Sequence, residues 1–446
     1  MTVNNSDDLS LKKLIQKCKQ DNQPACIIEW LIDAFHTLKA KTESQVDWDL
    51  IHPVSTDDCL HQSSIKVETK EIGLKHCEKL VMIKLNGGMG TSMGCQGPKS
   101  LIKVDKYTFI DRINLQRDSF LETYHCNVPL YLLNSFYTHD TMQSLNIKAD
   151  KMLLQHRVPR LCENDLSPFE SKISSDDEWT PPGHGDVFRV LFDQGELDIL
   201  INQGKEYAFI SNCDNLGATM SPDLLGHMVE NKIPFMMEVC QRTVLDVKGG
   251  ALVQLNGKFD LLERAQVLDQ YIHEFEDSNR FQCFNTNNIW VHLPTLKRMM
   301  ESKTFKLPLI KNTKMINGTA IIQCETAMGA AVNIIEGAQL IVVDRERFIP
   351  IKKTSDLLSL RSNIYSKQEN GKIIRNKKSS HLPNISWDKE YQSVDDFNEA
   401  FECIPDLLEC QSLTIRGKFK FKKDITIKGN VTLENQSGNV IVLEDM

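Results

Sequence analysis

One spacing near the carboxyl end limits the fold more than any other feature. Leu413, Phe419, Ile425 and Val431 recur every six residues, and Ile415, Phe421, Ile427 and Leu433 repeat the spacing two positions on. Gly417 and Gly429 stand where corners would fall. A hexapeptide period with an apolar residue at fixed phase marks a parallel β-helix, whose stacked coils bury the repeated column. Antiparallel hairpins have no reason to keep that spacing over four steps.

The rest of the chain has another texture. Apolar runs at Lys79–Asn86, Val128–Asn134, Glu206–Asn212 and Phe235–Gln241 alternate with helical patterns at Phe109–Tyr124 and Asp186–Asn202. Such alternation predicts an α/β fold with a mostly parallel sheet. Asn256-Gly257 between apolar runs predicts a hairpin over Val253–Leu262. Asn285–Leu293, Ala320–Cys324 and Gln339–Val343 read as further strands, and Thr354–Tyr365 as a helix. Before this region, Pro24–Ala40 has the apolar spacing of one amphipathic helix, and Lys41–Glu71 reads as loop. Residues 366–394 are polar and lysine-rich and read as a connector. The expected division is an N-terminal helical accessory segment (1–71), a catalytic domain (72–366), and a connector with a β-helix domain (367–446).

Composition narrows the function. The 446 residues carry 52 basic and 60 acidic side chains, a formal charge of −8, which argues against a nucleic-acid binder. No apolar run is long enough to span a membrane, and neither the polar start, Met1 to Asp8, nor the end, Leu443 to Met446, carries a targeting signal. The 13 cysteines include no C-x-x-C pair, so free thiols in a reducing cytoplasm are expected.

Four motifs carry chemistry. Strand Lys79–Asn86 runs directly into a loop with five glycines between positions 87 and 97, ending at Lys99. Glycines let backbone N–H groups form a concave nest for phosphate oxygens, and the lysine adds an ammonium at its end. The spacing is neither a dinucleotide fingerprint nor a P-loop, because Pro98 interrupts a G-K-S. Pro181-Pro-Gly-His184-Gly-Asp186 surrounds a histidine with glycines that permit close approach. Ser211-Asn212-Cys213-Asp214-Asn215 lies at the carboxyl end of a strand, where open α/β sheets bind ligands, and Asp214 suits magnesium. Pro350-Ile-Lys352-Lys353 precedes a helix N-terminus, and in extended chain only one of its two lysines can face a site. Glu263 and the amides Asn285, Asn287 and Asn288 could bind sugar hydroxyls or close turns. Cys95, inside the glycine loop, reads as a small filler.

These segments resemble, in order, the eukaryotic-type UTP–glucose-1-phosphate uridylyltransferases (UDP-glucose pyrophosphorylases). The similar stretches are LNGGMGTSMGCQGPKS, PPGHGD, ISNCDNLGAT, EVCQRTVLDVKGGALVQ, FNTNNIW and PIKKTSDLL, spread over about residues 75–445. The resemblance implies a Rossmann-like, GT-A-type nucleotidyltransferase core followed by a left-handed parallel β-helix. It implies that UTP and glucose 1-phosphate are converted reversibly to UDP-glucose and pyrophosphate, with Mg²⁺ as cofactor. By the same resemblance, Leu85, Asn86, Gly87 and Gly88 contact the uridine and its phosphates, and Gly87 and Gly88 also border the sugar phosphate. Gln155 and Gly183 recognise uracil, and His184, Asn212 and Cys213 contact the glucose phosphate. Asp214 holds the metal, Lys99 binds phosphate beside it without being a ligand, and Lys352 is the catalytic phosphate-binding partner of Lys99. A homo-oligomer through the C-terminal β-helix is the assembly the resemblance suggests. One alternative is a related pyrophosphorylase acting on N-acetylhexosamine 1-phosphate or several sugar phosphates, separable by room near the sugar 2-position; another is a catalytically silent nucleotide-sugar sensor or scaffold, expected to lack Asp214 or a phosphate lysine, all of which are present here.

Overall fold

The computed structural model describes residues 9–41, 47–243, 246, 249–379 and 381–443. The terminal readings at Met1–Asp8 and Glu444–Met446, and four residues of the EVCQRTVLDVKGGALVQ motif (244, 245, 247 and 248), lie outside the described residues.

A mixed sheet organises the molecule. Its strands run, side by side, Leu60–His61, Gln339–Val342, Phe235–Gln241, Cys283–His292, Tyr207–Asn212, Leu80–Asn86, Leu130–Asn134 and Lys151–Leu154. All neighbours are parallel except Cys283–His292, which is antiparallel to both strands beside it. The central strands are buried along most of their length because both faces of the sheet are covered, while the edge strands Leu60–His61 and Lys151–Leu154 are partly exposed. Leu80, Met82 and Phe209 point into one core, while Val81, Ile83, Ala208 and Ile210 point into the other. The hairpin Ala251–Leu255/Lys258–Leu262 turns at Asn256-Gly257 as expected and joins the sheet where Ala251 pairs with Phe284.

Helix Phe109–Tyr124 forms with the predicted bounds, started by a Thr108–Asp111 capping box. The predicted Asp186–Asn202 helix is two, Asp186–Asp193 and Glu196–Asn202, because Gly195 takes φ +73° between them. The amino-terminal region holds a second helix, Leu9–Gln20, beside Ala25–Ala40. Leu11, Leu14 and Cys18 of the first pack with Ile27, Leu31 and Phe35 of the second, over Val158, Trp179 and Ile322.

The segment 47–71 is more ordered than its polar sequence suggests. It forms three short 3₁₀ turns, supplies the edge strand Leu60–His61, and opens the helix Thr69–His76, which runs through residues 71 and 72. Glycines make the contact of that helix with Pro222–Glu230: a Cβ on Gly73 would lie 1.8 Å from the Pro222 carbonyl oxygen.

The residues after 366 are likewise more than a connector. Strand Asn384–Trp387 lies parallel to Cys410–Arg416, which lies parallel to Gly429–Glu434. Leu413 stacks on Val431 and Ile415 on Leu433, eighteen residues apart, which is three periods of the six-residue repeat. Phe419–Phe421 pairs parallel with Ile441–Leu443. Leu413, Ile415, Phe421, Ile425 and Ile427 join the core that covers one face of the main sheet.

The expectation of wholly free cysteines needs correction. Cys77 and Cys126 form a disulfide across a separation of 49 residues, and eleven other cysteines are free. A pairing set by tertiary approach leaves no mark in local spacing. Among the described residues, no helix is long and apolar enough to cross a membrane.

Candidate active site

Parallel strands Leu80–Asn86 and Tyr207–Asn212 are in register with Leu85 opposite Asn212, so their carboxyl ends open side by side. Beneath them Lys84 is buried, donating to Ser211 Oγ at 2.7 Å and the Ala218 carbonyl at 2.8 Å. Burial pushes its pKa down to about 8. This lysine ties the floor of one motif to the next without facing the cleft.

The cleft above has a volume of about 830 Å³. Leu85, Asn86, Gly87, Gly88, Lys99, Gln155, Gly183, His184, Asn212, Cys213 and Asp214 all line it. Asn86 is anchored by its side chain, which donates to Asn134 Oδ1 at 2.8 Å. Gln155 donates to the Gly183 carbonyl at 2.6 Å and lies against Gly87, where a Cβ would be 3.2 Å from Gln155 Oε1. Gly183 has φ +79°, and a Cβ there would meet the Thr326 carbonyl at 2.4 Å, so glycine is required. The glycine loop is held from behind as well: a Cβ on Gly94 would lie 2.5 Å from the Cβ of Ser393, which caps helix Val394–Ala400. Cys95 packs against Gly90 inside the loop, consistent with a filler.

Asn215 joins the third and fourth motifs. Its Oδ1 accepts from the Ile349 N–H at 2.9 Å and its Nδ2 donates to the Arg347 carbonyl at 3.1 Å. Ile351 N–H donates to the Asp214 carbonyl at 3.2 Å. Lys352 thereby reaches Asp214 Oδ2 at 3.5 Å, while Lys99 meets the same oxygen at 2.7 Å and also donates to the Ile351 carbonyl. Lys352, not Lys353, is the lysine that reaches the carboxylate. Burial opposes the Asp214 charge, but Lys352 and Lys99 outweigh it and hold the carboxyl down at about 2. Asp214 Oδ1 is buried and has no hydrogen-bond partner.

His184 accepts from the Met328 N–H at Nδ1, 3.1 Å away. Burial, helped by nearby Lys352, lowers its pKa to about 4. The ring is then neutral, with its proton on Nε2 available to donate. Cys213 lines the cleft, but its thiol is packed in the core, and burial raises it to about 12.

The amide cluster divides. Pairing of Phe235–Gln241 with Cys283–His292 jumps from Glu238–Asn288 to Val239–Asn285, leaving a bulge at residues 286 and 287. Asn287, at φ +59°, donates to Asn212 Oδ1 at 3.1 Å and so braces a residue of the cleft. Asn288 is structural: it donates to buried Glu238, which also receives Arg347 and the Trp290 indole at 2.8 Å. Glu263 sits beside Gly250, and burial, with the Glu325 charge, raises it to about 7.

Arg160, Thr180, Lys314, Gln323 and Glu325 also line the cleft. Sequence reasoning did not single them out. Lys314, Gln323 and Glu325 arrive on the antiparallel group that pairs Ile310–Ile316 with Thr319–Glu325 and the latter with Leu161–Cys162, whereas Thr180 lies on the separate pair Val158–Pro159/Trp179–Thr180 and Arg160 between strands Val158–Pro159 and Leu161–Cys162. An Asn317-Gly318 turn was the available signal for that hairpin.

Comparison with known proteins bears on this cleft. The sequence pattern of the family described as UTP--glucose-1-phosphate uridylyltransferase matches residues 31–428. The chain is 41% identical over 413 residues to the UTP–glucose-1-phosphate uridylyltransferase of Musa acuminata, covering 90% of this chain and 88% of that one. It is 36% identical over 450 residues to the protein of the same name from Saccharomyces cerevisiae, covering 97% and 90%. The fold is similar to a UDP-glucose phosphorylase from Trypanosoma brucei, with TM-score 0.89, 35% identity, and coverage of 98% of this chain and 97% of that one. It is equally similar, at TM-score 0.89 and 32% identity, to a variant UDP-glucose pyrophosphorylase from Leishmania major in complex with UDP-glucose, covering 98% and 97%.

Proposed function

The chain belongs to the UTP–glucose-1-phosphate uridylyltransferase family, and we propose that its cleft joins UTP to glucose 1-phosphate, giving UDP-glucose and pyrophosphate reversibly. The observation that carries this is the convergence of Lys99 and Lys352 on Asp214 beside the glycine loop.

The sugar-phosphate oxygen attacks the α-phosphorus of UTP in line, and pyrophosphate leaves. No protein nucleophile is needed; positioning and charge neutralisation supply the rate. Leu85, Asn86, Gly87 and Gly88 seat the uridine and its phosphates, and Gln155 with Gly183 reads the uracil edge. His184 donates from Nε2 to the sugar phosphate, which a neutral ring can do without a charge penalty. Asn212, braced by Asn287, holds the sugar side, and the backbone at Cys213 closes the floor. Lys99 and Lys352 stabilise charge on the transferring phosphate and on pyrophosphate. The buried, unpartnered Oδ1 of Asp214 fits a Mg²⁺ ligand, with Lys99 adjacent as a phosphate donor. When bound, that ion neutralises phosphate oxygens and helps hold their geometry.

The same reading extends to the architecture. The main sheet and its cleft form a Rossmann-like, GT-A-type catalytic domain over residues 72–366. The N-terminal segment covers 1–71, and 367–446 supply a connector and a left-handed β-helix that serves as a surface for self-association. The eighteen-residue stacking of Leu413 on Val431 supports the β-helix. A cytoplasmic setting matches the eleven free cysteines.

The test is pyrophosphate release with Mg²⁺, pairing UTP, ATP and GTP with glucose, galactose and N-acetylglucosamine 1-phosphates. Release confined to UTP with glucose 1-phosphate is expected. Equal release with N-acetylglucosamine 1-phosphate would replace the sugar assignment. Silence from folded protein would overturn the activity.

A further inference from the structure

We propose that Cys26, His156 and Asp193 form a zinc site fastening the helix Ala25–Ala40 to the body of the protein. Their ligand atoms, one from each side chain, all lie within 4.8 Å of one another. The Cys26 thiol donates to Asp193 Oδ2 at 2.6 Å, and His156 Nε2 is 3.9 Å from the same oxygen. A tetrahedral zinc ion with ordinary bond lengths spaces its ligand atoms by about 3.3–3.8 Å. Replacing the thiol proton by the cation therefore opens one contact and closes another, within the reach of side-chain rotation.

The surroundings fit the same ion. His156 is buried, and its Nδ1 lies 3.1 Å from both carboxylate oxygens of fully buried Asp186. With that proton on Nδ1, the Nε2 lone pair faces Asp193. A carboxylate behind a ligating imidazole is the usual outer partner in zinc sites and fixes the required tautomer. Asp186 also receives Arg189 at 2.7 Å, and Arg189 stacks over Trp30 of the same N-terminal helix. Thiolate, two carboxylates and one guanidinium sum to two negative charges, which a divalent cation balances. Thiolate, imidazole and carboxylate together favour zinc over magnesium or calcium, and a water would complete the shell.

The three ligands come from residues 26, 156 and 193, distant in sequence, so the site cross-links separate elements. His156 directly follows Gln155, and Asp186 lies two residues past His184. A cation here would stiffen the backbone that presents both of those cleft residues.

Metal-stripped full-length protein should be titrated with Co²⁺ and then Zn²⁺, reading absorption and bound metal. One equivalent of Co²⁺ with a thiolate-to-metal charge-transfer band, displaced by Zn²⁺, is expected. Cys26→Ser should abolish the band, and His156→Ala or Asp193→Asn should weaken zinc at least tenfold. Asp186→Asn should weaken it by about 10–100-fold. Cys403→Ser, a free-cysteine control elsewhere, should keep the band. Absence of the band in the unsubstituted protein, or its survival in Cys26→Ser, would overturn the proposal. Circular dichroism checks each fold; if Cys26→Ser does not fold, His156→Gln and Asp193→Asn carry the same comparison.

Discussion

Lys99 Nζ and Asp214 Oδ2 meet at 2.7 Å between the end of the glycine loop and the end of the neighbouring strand. The pair is well enclosed, with 13% and 12% of the two side chains exposed, whereas 58% of Lys352 is open to solvent. The two lysines should therefore respond differently to removal. Lys352→Ala should lower kcat by about 10²–10³-fold, the usual loss for one charge-stabilising donor, with stability changed by less than about 0.5 kcal/mol. Lys99→Ala should lose comparable activity and also cost about 1–3 kcal/mol in urea unfolding, because it leaves a buried carboxylate short of a partner.

Asp214→Asn keeps the shape of the carboxylate and removes its charge. Pyrophosphate release should fall sharply and lose its dependence on Mg²⁺ concentration. Steady-state rates across a Mg²⁺ series measure this; an unchanged Mg²⁺ dependence would remove Asp214 from the metal assignment.

Glu263 titrates near 7 because burial, and then the Glu325 charge, disfavour its ionised form. Between its ordinary value of 4.5 and that one, the folded chain keeps a proton that the unfolded chain has lost, so the contribution of Glu263 to stability should fall as pH rises through this window. Glu325→Gln, by removing the like charge, should move that change to lower pH. A pH series of urea unfolding for both proteins tests the pair.

His184 should stay neutral across the working pH range. Its folded pKa, about 4, lies below the ordinary 6.5. Below pH 6.5 the unfolded chain takes up a proton that the folded one refuses, so this group's stabilising effect is complete above 6.5. It fades as pH falls toward 4. Histidine NMR should show the ring unprotonated at pH 6, and Lys352→Ala should raise its pKa.

Glu238 is buried under Arg347, Asn288 and Trp290 and lies away from the cleft residues. Arg347→Leu strands that carboxylate. A loss of about 3–5 kcal/mol is expected from breaking one side of a buried pair, read by denaturant unfolding.

Much of the cleft lining was legible because two of the four motifs end parallel strands. Strand Leu80–Asn86 leads into the glycine loop and strand Tyr207–Asn212 into Asp214, and parallel register makes those ends neighbours. Asn215, the bridge to Lys352, read only as the last residue of the cluster at the strand end. Arg160 and Glu325 were invisible because antiparallel pairing brings them from elsewhere. Cys77–Cys126 and Cys26–His156–Asp193 depend on tertiary approach alone. Helix Leu9–Gln20 did carry a signal, with Leu11, Leu14 and Cys18 on one face, but its many lysines and glutamines masked it.

The close seat of Gly94 on Ser393 makes the glycine loop a shared border. Any side chain larger than hydrogen at 94, or a displacement of the turn at 393, pushes on the same few atoms. Drift in the carboxyl-terminal third is thus policed by turnover as well as by folding. Substitutions around residues 393–398 should be rarer among active descendants than their distance from the chemistry would suggest.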